Sequence, residues 1–307
     1  MFRSGALWRG VVNSTADIMK RRPAAPSATL CLPRGSCRST VAWISAVVLG
    51  WLLPAPFLAQ AQDADAVARE LSNPTAPVFS LTSFLDVTHY KGDLPGAGDQ
   101  TAWTYSFQPP APFELGGGLN FFVRPLIPFV FTSPKFTGSG FEGSGFNLGN
   151  ISADISLGKT FSNGLVLIGG TVWTFPTHTD EELRANFAVG PEAAVGVLRD
   201  WGVALLLLTQ SWDVTGEDRG SRLGGQYVIA RGLGGGWQLI SSPSFSYDWD
   251  TEDLTFPIGA GPSRTLFIGD IPVKVGGQFW YYLSQPDPLG PEWQLRLQFQ
   301  PVLPRPW

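Results

Sequence analysis

The chain has 307 residues, enough for one large β domain or two ordinary domains. Only 15% of them are charged, while Gly, Phe and Trp number 36, 21 and 12; this composition suits a β-barrel with aromatic girdles better than a soluble enzyme. A mean hydropathy of +0.06 is too low for a bundle of apolar spanning helices, whereas barrel strands, with every second residue polar, leave little mark on such an average.

Residues 1–39 are rich in arginine (Arg3, Arg9, Arg21, Arg22, Arg34, Arg38) and carry one acid, Asp17. An apolar run over 41–53, too short for a comfortable membrane helix, follows and is broken by Pro54-Ala55-Pro56. Ala59-Gln60-Ala61 then offers a small-x-small cleavage pattern. This order reads as a secretory signal peptide over 1–61, cut after Ala61, with Met19-Lys20-Arg21-Arg22 as a second candidate start. Both cysteines, Cys31 and Cys37, lie in this leader, so the exported chain would hold no disulfide and no cysteine metal site. Removing 1–61 takes away seven Lys/Arg and one acid, leaving 14 basic and 24 acidic residues, a net of −10. That balance argues against nucleic-acid partners.

Residues 62–77 form an expected periplasmic segment. Within it, 63–72 reads as a short helix stopped by Asn73-Pro74, either tucked into a barrel mouth or trailing as a tail. From Val78 to the end, about 12 segments look like strands. Trp103, Tyr105 and Phe107 interleave with Thr104, Ser106 and Gln108. Leu119, Phe121 and Val123 oppose Asn120 and Arg124, and Ile151, Ala153, Ile155 and Leu157 oppose Ser152, Asp154 and Ser156. The last strand is the clearest: Trp293, Leu295, Leu297 and Phe299 alternate with Glu292, Gln294, Arg296, Gln298 and Gln300. Successive strand side chains point to opposite faces, so each such segment has an apolar face and a wet face. Segments 165–173 and 201–210 alternate poorly and read as strands packed apolar on both sides. After the last strand, Pro304-Arg305-Pro306-Trp307 leaves Phe299 or Leu303 as its terminal apolar residue.

The connections sort by length. Long or acidic ones at 90–100, 132–147, 176–184, 213–221, 248–253 and 284–291 alternate with short ones at 159–164, 199–202, 231–236 and 269–271; the stretch 109–118 breaks the rule. Long loops outside and short periplasmic turns are the habit of a transmembrane up-and-down antiparallel β-barrel, which is the expected fold over 78–307. Pro125, Pro128, Pro191, Pro243, Pro257 and Pro272 fall inside proposed strands, so some of them belong at strand ends or bulges.

Several runs, in this order, resemble a family of bacterial outer-membrane proteins known as transporter-like or MetA-pathway of phenol degradation proteins, sometimes mislabelled neuromedin U. They are Leu71-Ser72-Asn73-Pro74, Trp103-Thr104-Tyr105-Ser106-Phe107-Gln108-Pro109, and Leu119-Asn120-Phe121-Phe122-Val123-Arg124-Pro125. Gly169-Gly170-Thr171-Val172-Trp173, Pro243-Ser244-Phe245-Ser246-Tyr247, Pro272-Val273-Lys274-Val275-Gly276 and Gly290-Pro291-Glu292-Trp293 continue the likeness, which covers roughly 71–303. The resemblance implies an outer-membrane barrel passing small organic or aromatic compounds, and it carries no catalytic residues.

The polar parity of the strands supplies the lumen-lining candidates Arg124, Asp154, Glu192, Arg222, Lys274, Gln278, Arg296 and Gln298. Such charges either set pore selectivity or pair with one another across a closed barrel. A cylinder of about 12 strands is narrow, and inward Phe122, Trp280 and Tyr282 would narrow it further and stack against an aromatic solute. His178-Thr179-Asp180-Glu181-Glu182 reads as a solvated acidic loop, with a carboxylate-held cation as the alternative. The glycine runs 116–118 and 234–236 lack the Gly-Lys-Ser/Thr of a phosphate loop and read as turns. No cofactor or metal is implied.

The sequence thus points to a passive outer-membrane channel for small organic compounds. A non-conducting structural or interaction barrel is the alternative. A lipid hydrolase at the rim, with Ser83 or Ser211 activated by His89 or His178, is the third reading. The expected partners are outer-membrane lipid, the barrel-assembly machinery and the solute.

Overall fold

The computed structural model describes residues 55–216 and 219–305. Residues 1–54 of the expected leader, with Cys31 and Cys37, lie outside the described residues, as do Pro306 and Trp307. Twelve strands follow one another: β1 (Thr82–Lys91), β2 in two pieces (Thr101–Gln108 and Ala111–Gly116), β3 (Leu119–Thr132) and β4 (Ile151–Thr160). Then come β5 (Leu165–Phe175), β6 (Ala188–Arg199), β7 (Gly202–Asp213), β8 (Ser221–Gly234) and β9, again in two pieces (Trp237–Ser241 and Ser244–Asp248). The last three are β10 (Leu254–Ile268), β11 (Ile271–Ser284) and β12 (Gly290–Pro301). Each pairs antiparallel with its neighbours in sequence, and β1 pairs with β12 from Ser83 opposite Phe299 to Lys91 opposite Gly290. That pairing closes the sheet into an up-and-down cylinder.

The strand alternation sorts the side chains. On β12, Leu295, Leu297 and Phe299 are 37%, 46% and 48% exposed while Gln294 is buried. Elsewhere Leu157, Leu167, Val195, Leu206, Ile229, Leu239 and Phe279 are exposed, and Ser156, Glu192, Gln238 and Gln278 are buried. An apolar exterior around a polar interior inverts the order of a soluble protein and matches a wall that faces lipid. Exposed aromatics mark both ends of the wall: Trp103, Phe131, Trp212 and Trp249 at one, Phe113, Phe161, Trp201 and Trp237 at the other.

At one end of the cylinder the connections are tight. Gly117-Gly118 and Gly235-Gly236 are two-residue turns with φ of 60° and 75°, and 62° and 78°. Left-handed backbone at both positions is what such a hairpin turn requires, and glycine adopts it without strain. The expected long connection at 109–118 is therefore no loop. Pro109-Pro110 interrupts the ladder of β2, the strand resumes at Ala111, and the hairpin closes at Gly117-Gly118. The other end carries all the long connections, with 3-10 turns at Ala97–Asp99 and Glu181–Leu183 and a small hairpin of Pro134–Phe136 on Phe141–Gly143. β1 begins and β12 ends at the tight-turn side, the periplasmic side of an outer-membrane barrel.

The prolines divide. Pro243 occupies the gap in β9 and Pro257 a register shift in β10. Pro125, Pro128 and Pro272 lie within paired strands, and at Pro191 the β6–β7 ladder skips two residues and resumes in the same register. The poorly alternating segments are explained by an apolar patch inside the periplasmic half. Val166, Ile168, Ala194 and Leu205 pack together there, and Val203, Ala230 and Ile240 form a second cluster, while Leu167, Leu206 and Leu208 face out.

The N-terminal helix α1 spans Ala55–Ser72, starting earlier than the expected 63–72. Its partners on the wall are contacted by Ala64, Asp65, Ala68, Arg69 and Ser72, all beyond Ala61. At the C-terminus, Val302 bridges to Ser80, Leu303 N–H donates to Phe79 O, and Arg305 pairs with Glu114 at 2.8 Å.

Candidate functional site

The interior is built from two mid-barrel networks and a periplasmic plug. The first network spans β3 to β6. Arg124 stands opposite Asp154 on the next strand, with Nη2 3.6 Å from the carboxylate, and donates across to Glu192 Oε1 at 3.2 Å. Between these strands β5 presents Gly170 opposite both Ser156 and Glu192. A β-carbon there would lie 2.3 Å from Ile155 O, so only glycine fits, and the wall beneath the ion pair stays bare. The Glu192 side chain is fully buried, and among the described residues Arg124 Nε has no hydrogen-bond partner. Below this level Phe122 is buried and Asn120 Nδ2 donates to Thr75 O.

The second network spans β1, β9, β11 and β12. Arg296 donates from Nε and Nη2 to the two oxygens of Asp86, both at 2.7 Å. Its guanidinium lies 4.6 Å from the centre of the Phe84 ring and 4.5 Å from that of Trp280. The bidentate bond fixes the plane of the cation, and the two rings cover its faces. Gln278 Oε1 accepts from Trp280 Nε1 at 3.2 Å and from the Ser242 amide at 2.9 Å. Tyr282 Oη donates to Gln294 Oε1 at 2.9 Å, and Thr88 donates to the same oxygen at 3.3 Å. Gln298 donates to Gln300, which donates to Ser80.

Two of the sequence candidates stand apart. Arg222 is at the long-loop mouth, well exposed, and pairs with Asp248 at 3.0 Å. Lys274 is buried on β11 opposite Thr265 and Gln300, toward the periplasmic end. Asp86 and Phe84 are missing from the sequence list. Asp86 was visible as a polar residue between Leu85 and Val87, but Phe84 shares its inward parity and nothing in the alternation marks it. In the two networks each arginine faces a carboxylate, Arg124 those of Asp154 and Glu192 and Arg296 that of Asp86.

At the periplasmic end α1 lies against β7 to β11. Asp65 accepts hydrogen bonds from the amides of Gly235 and Gly236 at 3.1 and 2.7 Å. Gln238 Nε2 donates to Ala68 O and to Ser72 Oγ at 3.1 and 2.8 Å. Ala64, Asp65, Ala68 and Ser72 share one helix face, and Ala64 and Ala68 are buried. Beyond the helix, Asn73 Oδ1 accepts from Thr75 and from Thr160 on β4. The segment thus crosses the mouth from β8–β9 to β4 before joining β1.

The serine and histidine candidates do not meet. Ser83 Oγ is 2.9 Å from Tyr105 Oη, and Ser211 donates to Arg222 O. His89 lies 3.4 Å from Thr101 and 3.9 Å from Glu292, and His178 lies 3.0 Å from Asn150. Glu181 of the acidic loop faces Arg184 at 4.0 Å, and among the described residues no three His, Cys, Asp or Glu side chains converge as metal ligands would.

No protein-family model matches the sequence, and comparison with curated proteins returns no match. Among solved structures, an outer-membrane channel from Pseudomonas putida F1 superposes with a TM-score of 0.57 at 15% identity, over 74% of this chain and 96% of that one. The Pseudomonas putida toluene transporter TodX matches with a TM-score of 0.41 at 9% identity, over 76% and 93%. The beta domain of the Bordetella autotransporter BrkA gives 0.41 at 11% identity, over 73% and 98%. The chain has the fold of an outer-membrane β-barrel, the fold that the sequence resemblance implies.

Proposed function

We propose that the protein is a passive outer-membrane channel for small uncharged organic molecules, above all aromatic or hydrophobic ones. The observation that carries this reading is the state of the interior charges. Arg296 is neutralised by Asp86 and covered by Phe84 and Trp280, so it presents no free cation to a passing solute. Nearer the periplasm the interior is apolar as well, with Val166, Ile168, Ala194 and Leu205 buried together. A pore for ions would instead expose like charges around its lumen. The glycine runs 116–118 and 234–236 are hairpin turns, and the transport proposed here runs down a gradient.

A second reading, a non-conducting structural barrel, draws on α1 and the strap that follows it across the periplasmic mouth. Liposome swelling separates the two. Refolded protein is expected to admit phenyl glucoside and to exclude phenyl glucuronide, its charged counterpart. Equal entry of both would refute the selectivity, and no entry of either would favour the structural barrel.

A further inference from the structure

The lipid-facing wall has a depression across β4 to β7, close to the periplasmic end. Leu157, Gly169, Ala193 and Leu208 stand side by side on these four strands, and one level nearer the turns stand Lys159, Leu167, Val195 and Leu206. The first row runs large, bare, small, large. Gly169 and Ala193 therefore form a floor between two leucine walls, and a β-carbon on Gly169 would meet nothing within 4 Å. The hollow has a volume of about 610 Å³, and Lys159 is its one charged lining residue. Ligand pockets span about 300–1,000 Å³.

The surroundings specify the occupant. Outside the wall the solvent is acyl chain, which fills an apolar groove open along its length. At the periplasmic end of the groove Lys159 Nζ lies 5.4 Å from the centre of the Phe161 ring. Arg199 flanks the same turn, donating to the carbonyl of Asn163. Neither cation is in an ion pair among the described residues. Further round this rim Arg231 and Arg264 are exposed on the outer face, Arg264 over the ring of Trp237. The same rim also carries the acids Asp200, which faces Arg69 at 3.7 Å, and Asp270, while the opposite rim mixes Asp93, Asp250 and Asp253 with Lys91 and Arg222. Basic side chains beside interfacial aromatics at one membrane surface attract anionic headgroups.

We propose that this groove binds one anionic phospholipid of the periplasmic leaflet, an acyl chain lying over Gly169 and Ala193 and the phosphate held by Lys159 and Arg199. Native mass spectrometry of the detergent-purified exported chain tests this, with phosphatidylglycerol and phosphatidylcholine of identical acyl chains as probes. One retained phosphatidylglycerol is expected, with phosphatidylcholine bound about tenfold more weakly, the order expected when two basic residues face an anionic surface. Gly169→Leu puts a side chain on the floor from a β-carbon that stands in open space and should abolish retention of both lipids, while Lys159→Ala with Arg199→Ala should bring phosphatidylglycerol down to the level of phosphatidylcholine. Heat-modifiable migration on gels verifies that each variant folds. Retention unchanged by Gly169→Leu would overturn the proposal. So would a dimer that dissociates in that variant while lipid retention stays the same, since the groove would then be an interface between copies.

Discussion

The amide of Ser242 donates to Gln278 Oε1 at 2.9 Å, and this bond stands in for a ladder bond where strand β9 is broken. The β8–β9 register is the same on both sides of the break, Ile229 opposite Ser241 and Gln226 opposite Ser244. Pro243 has no N–H to give, so the ladder lapses, and interior side chains take over the orphaned groups: Gln278 the Ser242 amide, Gln226 the Ser242 carbonyl at 3.0 Å. Gln278→Leu leaves two donors, the Ser242 amide and Trp280 Nε1, without that partner, at a cost of about 1–3 kcal/mol each. Urea unfolding in micelles should show that loss. Gln298→Leu, which breaks only the side-chain bond to Gln300, is the control and should lose less.

Arg296 and Asp86 hold each other more tightly than a surface pair would. Their side chains are 18% and 11% exposed, and both oxygens of the carboxylate are engaged. Arg296→Met alone or Asp86→Asn alone strands a charge in the interior, a loss of about 3–5 kcal/mol for a buried pair. The double variant should recover a large part of it. Additive losses in a double-mutant cycle would mean that the two charges are solvated separately and that the interior is wetter than the geometry implies.

The helix α1 makes its firmest contact through Asp65, whose carboxylate takes two backbone amides of the Gly235-Gly236 turn. Hydrogen bonds to a charged group contribute about 1.5–3 kcal/mol each, so Asp65→Ala should shift the docked helix toward release by tenfold or more. Phenyl glucoside entry into liposomes should rise accordingly while the far-ultraviolet spectrum of the strands stays unchanged. Unaltered entry would mean that α1 does not limit passage.

The wall is legible from sequence because period-two alternation assigns each side chain to a face, and β12 carries that alternation almost without a break. Partnership is another matter. Arg124, Asp154 and Glu192 share a parity, but that Arg124 reaches Glu192 three strands away follows from curvature and from the bare Gly170. Neither is written in the alternation. The Gln278–Ser242 bond is hidden for the same reason, since it joins strands two apart across the inside of the cylinder. The second piece of β2 is missed because Pro109-Pro110 looks like the start of a loop, although the strand resumes two residues later. The start of α1 is missed because the expected cleavage site draws a boundary at Ala61 that the helix ignores.

Leu297 and Leu283 both face outward, 46% and 60% exposed, and in water two such leucines would tolerate substitution alike. Lipid separates them by depth. Leu297 lies in the middle of β12, beside Leu85 on β1 and Gly277 on β11, while Leu283 is next to the last residue of β11 at the long-loop rim. An arginine at the bilayer midplane costs about 2–4 kcal/mol, and near the interface about 0–1 kcal/mol. Leu297→Arg should therefore destabilise the refolded barrel in phospholipid vesicles well beyond Leu283→Arg, as read from urea midpoints at matched pH. The ordering is informative because both variants add the same side chain to exposed positions of the same wall, so propensity and packing largely cancel. Equal midpoints for the two would mean that the apolar band is not immersed in hydrocarbon, and the channel reading would lose the membrane it depends on.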